Sequence, residues 1–202
     1  LGDVYKRQTG YSMNAFVDFD HPADIFAHLL IGGEGTLGFI VSAELNTLPL
    51  LPVYSSAMLY FKDATKAAAA AAFLGESGAL SVEMMDYAAL SSLGDRPELP
   101  GGTTAMLIDY GARSSEEMQD MIKHLGPQLK KLDGLVNLED FTRTVNEREK
   151  LWKVRDGIFP CVAGARIPGD SVILEDVAAP VGKLDALVGG LQLSLIHISE
   201  PT

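Results

Sequence analysis

From residue 57 onward the sequence switches repeatedly between two hydrophobic periods, and that alternation restricts the fold more than any other feature. Residues 57–61 (AMLYF) read as a strand. Asp63 then caps a helix that runs through the alanines at 67–72 and stops at Gly75; the alanine run is strong helix propensity, not low complexity. Residues 80–85 read as a strand, 87–93 as a short helix, 94–102 as a Gly/Pro-bearing loop and 103–110 as a strand. Ser114 and Glu117 have capping-box spacing, and Met118, Met121, Ile122 and Leu125 follow as a core-facing stripe. The methionines there read as core filler. A strand over 136–141 is next, then a helix over 146–159 ended by Pro160, a strand over 171–177, and a final helix opened by Pro180. Such an order predicts an α+β fold, with helices on one face of a mainly antiparallel sheet. It leaves strand order open.

The first fifty residues read differently. Residues 9–14 form a loop. Asp20 is the expected N-cap of a helix over 22–30, with Pro22 in its first turn and Ile25, Phe26, Leu29 and Leu30 at helical spacing. Gly32 and Gly33 end it. Alternation at Phe39, Val41, Ala43 and Leu45 predicts a strand, and Pro49 and Pro52 place a domain boundary near residue 52.

Between that helix and that strand lies Gly33-Glu34-Gly35-Thr36-Leu37-Gly38-Phe39-Ile40. Its G-x-G-x-x-G spacing invites a dinucleotide-binding reading. The Rossmann form, however, needs a strand before the glycines and a helix after them, so that a pyrophosphate meets a helix N-terminus. Here the flanks are reversed, which disfavours a nicotinamide enzyme. What remains is a backbone able to turn tightly or approach a ligand closely. By spacing alone, phosphate contact through backbone N–H groups and a plain helix-to-strand connection are equally good readings.

Composition excludes several classes. With 202 residues there is chain enough to bury a core, as one large or two small domains. A net charge of −11 opposes nucleic-acid binding, which needs clustered Lys and Arg. No apolar run reaches the roughly 18–20 residues of a membrane span. The single cysteine, Cys161, supports no internal disulfide and no cysteine-ligated cluster, and reads as a small apolar residue.

Few side chains stand out. Arg155 lies four residues after Leu151 and four before Phe159, on an apolar stripe, so its guanidinium must pair or snorkel. Arg166, in a Gly/Pro-bearing loop, could be a second anion contact but is better read as an exposed charge. Glu175 and Asp176 are neighbours on the expected strand and point to opposite faces, so they form no acid/base pair. His21, Asp24 and His28 recur at i, i+3 and i+7, a spacing able to hold a metal but better read as a solvated helix face.

Two blocks carry a family resemblance. Residues 9–15 (TGYSMNA), 18–20 (DFD) and 27–40 (AHLLIGGEGTLGFI) resemble FAD-linked oxidases of the vanillyl-alcohol oxidase superfamily, with their TGY-x-L-N and G-S-E-G-T-L-G-x-I elements. Residues 151–160 (LWKVRDGIFP), 172–177 (VILEDV) and Pro180-Val181 resemble the L-W-x-x-R-x-x-x-F-P … V-I-I-E-D-V … P-V pattern of the same proteins. The likeness spans residues 9–192 and is strongest to bacterial D-2-hydroxyglutarate and D-lactate dehydrogenases that carry FAD and an iron–sulfur module. Gly33 departs from the family's serine and removes a hydroxyl beside the flavin phosphates. The resemblance implies the C-terminal part of a flavin-binding domain over residues 9–52, followed by a ferredoxin-like cap or substrate domain, itself incomplete, over residues 53–192. It implies FAD contacts from Gly33, Glu34, Gly35, Thr36, Leu37, Gly38, Phe39 and Ile40, joined by Tyr11 and Asn14, and a substrate-carboxylate contact from Arg155.

The implied reaction is oxidation of a D-2-hydroxy acid to the 2-oxo acid, with the C2 hydride passing to flavin and the hydroxyl proton to a base or metal-assisted group. That base is not among the residues singled out, and the principal phosphate loop is expected upstream. Metal-binding histidines are expected beyond Gln192, and any iron–sulfur cluster outside this chain. Residues 1–8 (LGDVYKRQ) and 193–202 (LSLIHISEPT) resemble translated sequencing-adapter read-through. On that reading the chain is an internal fragment, inactive by itself and weak in binding FAD, from a cytoplasmic parent or one peripheral to the inner membrane. Two alternatives stay open: another flavoenzyme of the superfamily, such as a glycolate oxidase subunit or an ether-lipid synthase, and a non-catalytic ferredoxin-like interaction domain. Arg155 and the 33–38 loop opening onto one cavity would favour an enzyme.

Overall fold

In the computed structural model, which describes residues 11–94, 99–167, 169 and 179–199, the chain divides between Pro49 and Leu50 into two compact units. The first holds a four-residue helix α1 (Ala15–Asp18) and α2 (Pro22–Leu29). His21, not Asp20, is the N-cap of α2: its backbone is extended and its ring accepts a hydrogen bond from the Ala23 N–H at 3.2 Å. The strand expected over 39–45 is absent; residues 39–51 carry no regular structure. Alternation there has no neighbouring strand to pair with among the described residues. Phe39, Val41, Leu45 and Leu48 are accordingly left exposed.

The second unit contains β1 (Val53–Phe61), α3 (Ala64–Glu76), β2 (Ser81–Met85), α4 (Tyr87–Ser92), β3 (Thr104–Ala112), α5 (Ser115–Leu129), β4 (Leu135–Leu138), α6 (Val145–Ala165), a 3-10 turn (Val181–Lys183) and α7 (Leu184–Ser199). Its four strands form an antiparallel sheet in the order β2-β3-β1-β4. Read from the other edge this is 4-1-3-2. With α3 between β1 and β2 and α5 between β3 and β4, the topology is ferredoxin-like, with α4 inserted between β2 and β3. The central pair is the longest, β1 and β3 matching from Val53↔Ala112 to Phe61↔Thr104.

Because side chains alternate along a strand, the sheet has two distinct faces. On one, Ala57, Leu59 and Phe61 of β1 and Met106, Ile108 and Tyr110 of β3 pack under Ala67, Ala70 and Leu74 of α3 and Met118, Leu125 and Leu129 of α5. Each fully buried Leu or Phe there contributes about 1.5–3 kcal/mol. The alanines of α3 let that helix lie close to the sheet. On the other face, Met58, Tyr60, Met85, Ala105 and Leu107 meet Leu90 of α4 and Leu151, Trp152 and Ile158 of α6. Helices therefore cover both faces, not one. A short helix and one of low amphipathicity do not announce which side of a sheet they choose.

Caps define most element starts. Asp63, Asp86, Ser114 and Thr144 each accept the expected backbone N–H of their helix. The reciprocal box belongs to Thr144 and Glu147; at Ser114 the Glu117 carboxylate turns instead to the Arg113 N–H. Pro160 does not end α6, which runs through it to Ala165. The strand expected over 136–141 is the shorter β4, yet residues 139–142 stay alongside β1. There the Glu139 and Thr142 N–H groups donate to Met58 O and Ser56 O, and the Ser56 N–H donates to Thr142 Oγ1. Residues 193–199 continue α7. The strand expected over 171–177, with Glu175 and Asp176, lies outside the described residues.

Candidate functional site

The sheet face beneath α6 is apolar at one end and polar at the other. Asp109 is the polar centre. It sits in the middle of β3 with 4% of its surface exposed, inside an otherwise apolar strand (TAMLIDYGA). A buried carboxylate needs a charged partner and hydrogen bonds. Arg148, in the first turn of α6, supplies both: its Nε donates to Oδ1 at 2.8 Å and its Nη2 to Oδ2 at 2.7 Å. Ser56 Oγ, from the register partner on β1, donates to Oδ1 at 2.6 Å. The guanidinium lies 4.9 Å from the Tyr54 ring centroid and 5.6 Å from that of Trp152. The hydrogen bonds to Asp109 hold the Arg148 pKa above its ordinary value, against a smaller opposing effect of burial. Trp152 Nε1 is buried beside this cluster and has no hydrogen-bond partner among the described residues.

Arg155 lies seven residues further along α6. Seven residues are nearly two helical turns, so Arg148 and Arg155 share one helix face about 10 Å apart along the axis. Both turn toward carboxylates of the same sheet face: Ser81 of β2 is the register partner of Asp109, and Glu83 stands two residues along from it. The second pairing is much looser. Arg155 Nε and Nη2 both reach one oxygen, Glu83 Oε2, at 3.2 Å each. Nη1 lies 3.4 Å from Asp156 Oδ1. The side chain of Arg155 is 45% exposed, against 29% for Arg148. Charge-assisted pairs are ordinarily 2.7–2.9 Å. One arginine is thus bound into the fold, and the other keeps donors that face solvent.

Sequence reasoning singled out Arg155 but passed over Arg148, Asp109, Ser56 and Glu83. A usable signal was present: a lone acid in the apolar run 105–110 requires a buried cation somewhere. Which cation could not be read without the topology, since 39 residues separate the partners.

In the first unit, residues 33–36 form a tight turn. Thr36 N–H donates to Gly33 O at 2.9 Å, and Glu34 and Gly35 both have positive φ, 49° and 77°. Positive φ at both central residues is the primed turn sense. Glycine meets it without strain. Glu34 does not, and the left-handed region costs a residue with a Cβ about 1–2 kcal/mol. A Cβ at Gly35 would meet nothing within 4 Å, whereas at Gly33 it would press on Leu30 O at 3.3 Å. Thr36 Oγ1 donates to Gly33 O at 2.6 Å and pairs with Tyr11 Oη at 2.7 Å. Among the described residues the N–H groups of Glu34, Gly35, Leu37 and Gly38 have no acceptor. Unclaimed donors around an open glycine are suited to an anionic oxygen, so these residues fit a flavin phosphate or ring edge. Asn14 is occupied locally, its amide donating to Asp18. Leu37, Phe39 and Ile40 are exposed.

The remaining sequence-derived residues have local roles. His28 Nδ1 lies 2.7 Å from Asp24 O, its ring stacks on Phe19 at 3.9 Å, and His21 is the cap described above. Among the described residues no group of His, Cys, Asp and Glu could hold a metal ion. Cys161 is half-buried in α6, and Arg166 is exposed, its Nε donating to Ala163 O. A groove of about 700 Å³ lies elsewhere on this unit, between α5 and residues 138–143, with Met118, Ile122 and Phe141 in its wall and Lys123, Lys130 and Arg143 among its charged residues. No described helix is long and apolar enough to cross a membrane.

A ferredoxin-like sheet with a polar strip under one long helix makes the second unit an α+β module. Residues 52–195 match the family described as FAD linked oxidases, C-terminal domain. The chain belongs to that family, and through it to the flavin-dependent oxidoreductases. A solved structure, that of MupZ from Pseudomonas fluorescens, is similar at 16% identity and a TM-score of 0.26, over 67% of this chain and all of that one. Curated protein sequences contain no match.

Proposed function

We propose that the parent protein oxidises a D-2-hydroxy acid, D-2-hydroxyglutarate or D-lactate, and that Arg155 binds the substrate's C1 carboxylate. Membership of the FAD-linked oxidases supports flavin as the hydride acceptor. The carrying observation is the contrast between two arginines on one face of α6. Arg148 has spent its fork on both oxygens of a buried aspartate. Arg155 holds one oxygen of Glu83 at 3.2 Å and one of Asp156 at 3.4 Å, both long, and is nearly half exposed. A bound carboxylate could take two parallel N–H···O bonds from that fork, which sets the orientation of the C2–H as well as the affinity. The turn at residues 33–38 would meet the cofactor through its free N–H groups, with Tyr11 and Thr36 holding the turn's shape. FAD, when bound, supplies the two-electron acceptor; this chain's contribution is to orient and to balance charge.

The test is an absorbance spectrum of the purified full-length gene product, followed by addition of each acid. Flavin bands that bleach with one substrate are the expected result. In that protein, Arg155→Lys should raise KM about 10- to 100-fold despite the retained charge, the size expected for losing a charge-assisted hydrogen bond. An unchanged KM, or a colourless protein that takes up no added FAD, would overturn the reading.

A further inference from the structure

We infer that Glu83 is a resident stand-in for the substrate carboxylate, occupying Arg155 when the site is empty and setting how tightly an incoming carboxylate binds. The inference rests on the assignment of Arg155 above.

Three observations carry it. First, Glu83 reaches the Nε/Nη2 edge of Arg155, which is one of the two edges of a guanidinium able to take a carboxylate side-on. Second, it does so with one oxygen only. Oε2 receives both N–H groups at 3.2 Å, while Oε1 is turned to Ser81 Oγ at 3.2 Å. In the same unit Asp109 shows what a committed pair looks like, with both oxygens used at 2.7–2.8 Å. Third, both partners are accessible, with side chains 45% and 33% exposed, so water or another anion can reach the contact. A carboxylate arriving with two free oxygens can offer two bonds of ordinary length where Glu83 offers one shared oxygen. Glu83 sits on the rigid frame of β2, paired with Leu107, so it can be displaced from the guanidinium without the sheet moving.

An exposed ion pair of this kind is weak, which is what an exchangeable partner requires. Its competition should cost an incoming carboxylate only a few-fold in affinity. Glu83 is therefore a positioning residue, acting on substrate through Arg155. It keeps the guanidinium turned to the sheet in the empty site and raises the dissociation constant of every carboxylate that binds there.

The test uses the 202-residue chain with acetate as the probe, following the Arg155 Nε–H resonance by nitrogen-edited NMR. In the wild-type chain acetate should move that resonance with weak, saturable affinity. Glu83→Gln, which keeps the side-chain length and removes the charge, should bind acetate about 3-fold more tightly, the scale of an exposed ion pair. Glu83→Asp, which keeps the charge but shortens its reach, should fall between wild type and Glu83→Gln, and it guards against a glutamine-specific effect on folding. Equal or weaker acetate binding in both variants overturns the inference. So does an Arg155 resonance that ignores acetate in all three chains. In either case the KM of Arg155→Lys in the flavin-loaded protein separates the two ideas: a raised KM leaves the substrate role standing without the stand-in, and an unchanged KM removes both.

Discussion

The two arginines of α6 show how far residue type alone leaves function undecided. Both are guanidiniums on one helix face, and both point at carboxylates on a sheet. What separates them is burial. Asp109 is almost wholly removed from solvent, so Arg148 is needed to keep its charge tolerable, while Glu83 stays wet and needs nothing. Truncating one member of a buried pair leaves the other uncompensated, at a cost of about 3–5 kcal/mol. Arg148→Ala should therefore destabilise the sheet unit by about 3 kcal/mol, at the low end because Arg148 itself is partly exposed. A urea titration followed by far-UV circular dichroism would measure it. A loss below about 1 kcal/mol would mean that Ser56 and water suffice for Asp109. The same arithmetic gives Arg155→Lys little effect on that midpoint, so stability and substrate affinity should separate cleanly between the two positions.

At the scale of elements, the boundaries follow side chains that either satisfy or disrupt the first and last turns. Four helix starts coincide with Asp, Ser or Thr caps, because those side chains reach back to an orphan N–H whatever the tertiary context. Pro160 fails as a stop signal for the converse reason: a proline removes one bond of a 21-residue helix, and packing of Leu151, Trp152 and Ile158 on the sheet retains the rest. Turns are less forgiving. Gly134, between α5 and β4, has φ 76°, and an added Cβ would lie 2.7 Å from both Cβ and Cγ of Lys66. Its carbonyl also accepts the Lys62 N–H at 2.9 Å, tying the turn to the end of β1. Gly134→Ala should lower stability by about 1–2 kcal/mol from the left-handed backbone alone, readable as a lower melting temperature. A melting temperature equal to wild type would show that the turn can relax. The neighbouring Lys66–Asp133 pair is too exposed to compensate, although each partner shifts the other's pKa in the direction of charge.

For the molecule as a whole, order is unevenly distributed. The second unit buries two apolar layers around one sheet; residues 39–49 of the first carry Phe39, Val41, Leu45 and Leu48 in the open with no ladder of backbone bonds. Backbone lacking both burial and hydrogen bonds opens at little free-energy cost. Limited proteolysis should accordingly cut the chain within 39–49 well before β1 or β3, with mass spectrometry locating the first cleavage. A first cut inside the sheet unit would contradict this picture.

Among the described residues, the sequence by itself determined the identity and order of the elements in the second unit. Period, caps and punctuation are local, and each is decided within one or two turns of chain. That order, βαββαβ with α4 inserted and α6 and α7 following, is enough to imply an α+β layer. Tertiary structure alone decided three things. It left the alternating residues 39–45 without a strand, because a strand exists only where a neighbour offers its backbone. It put α6 on the second face of the sheet, because an apolar strip around Met58, Tyr60 and Leu107 was there to be covered. It also matched Arg148 to Asp109 and Arg155 to Glu83 across 39 and 72 residues. Pairing of charges depends on which strands lie side by side, and that is a property of the folded sheet rather than of any stretch of sequence.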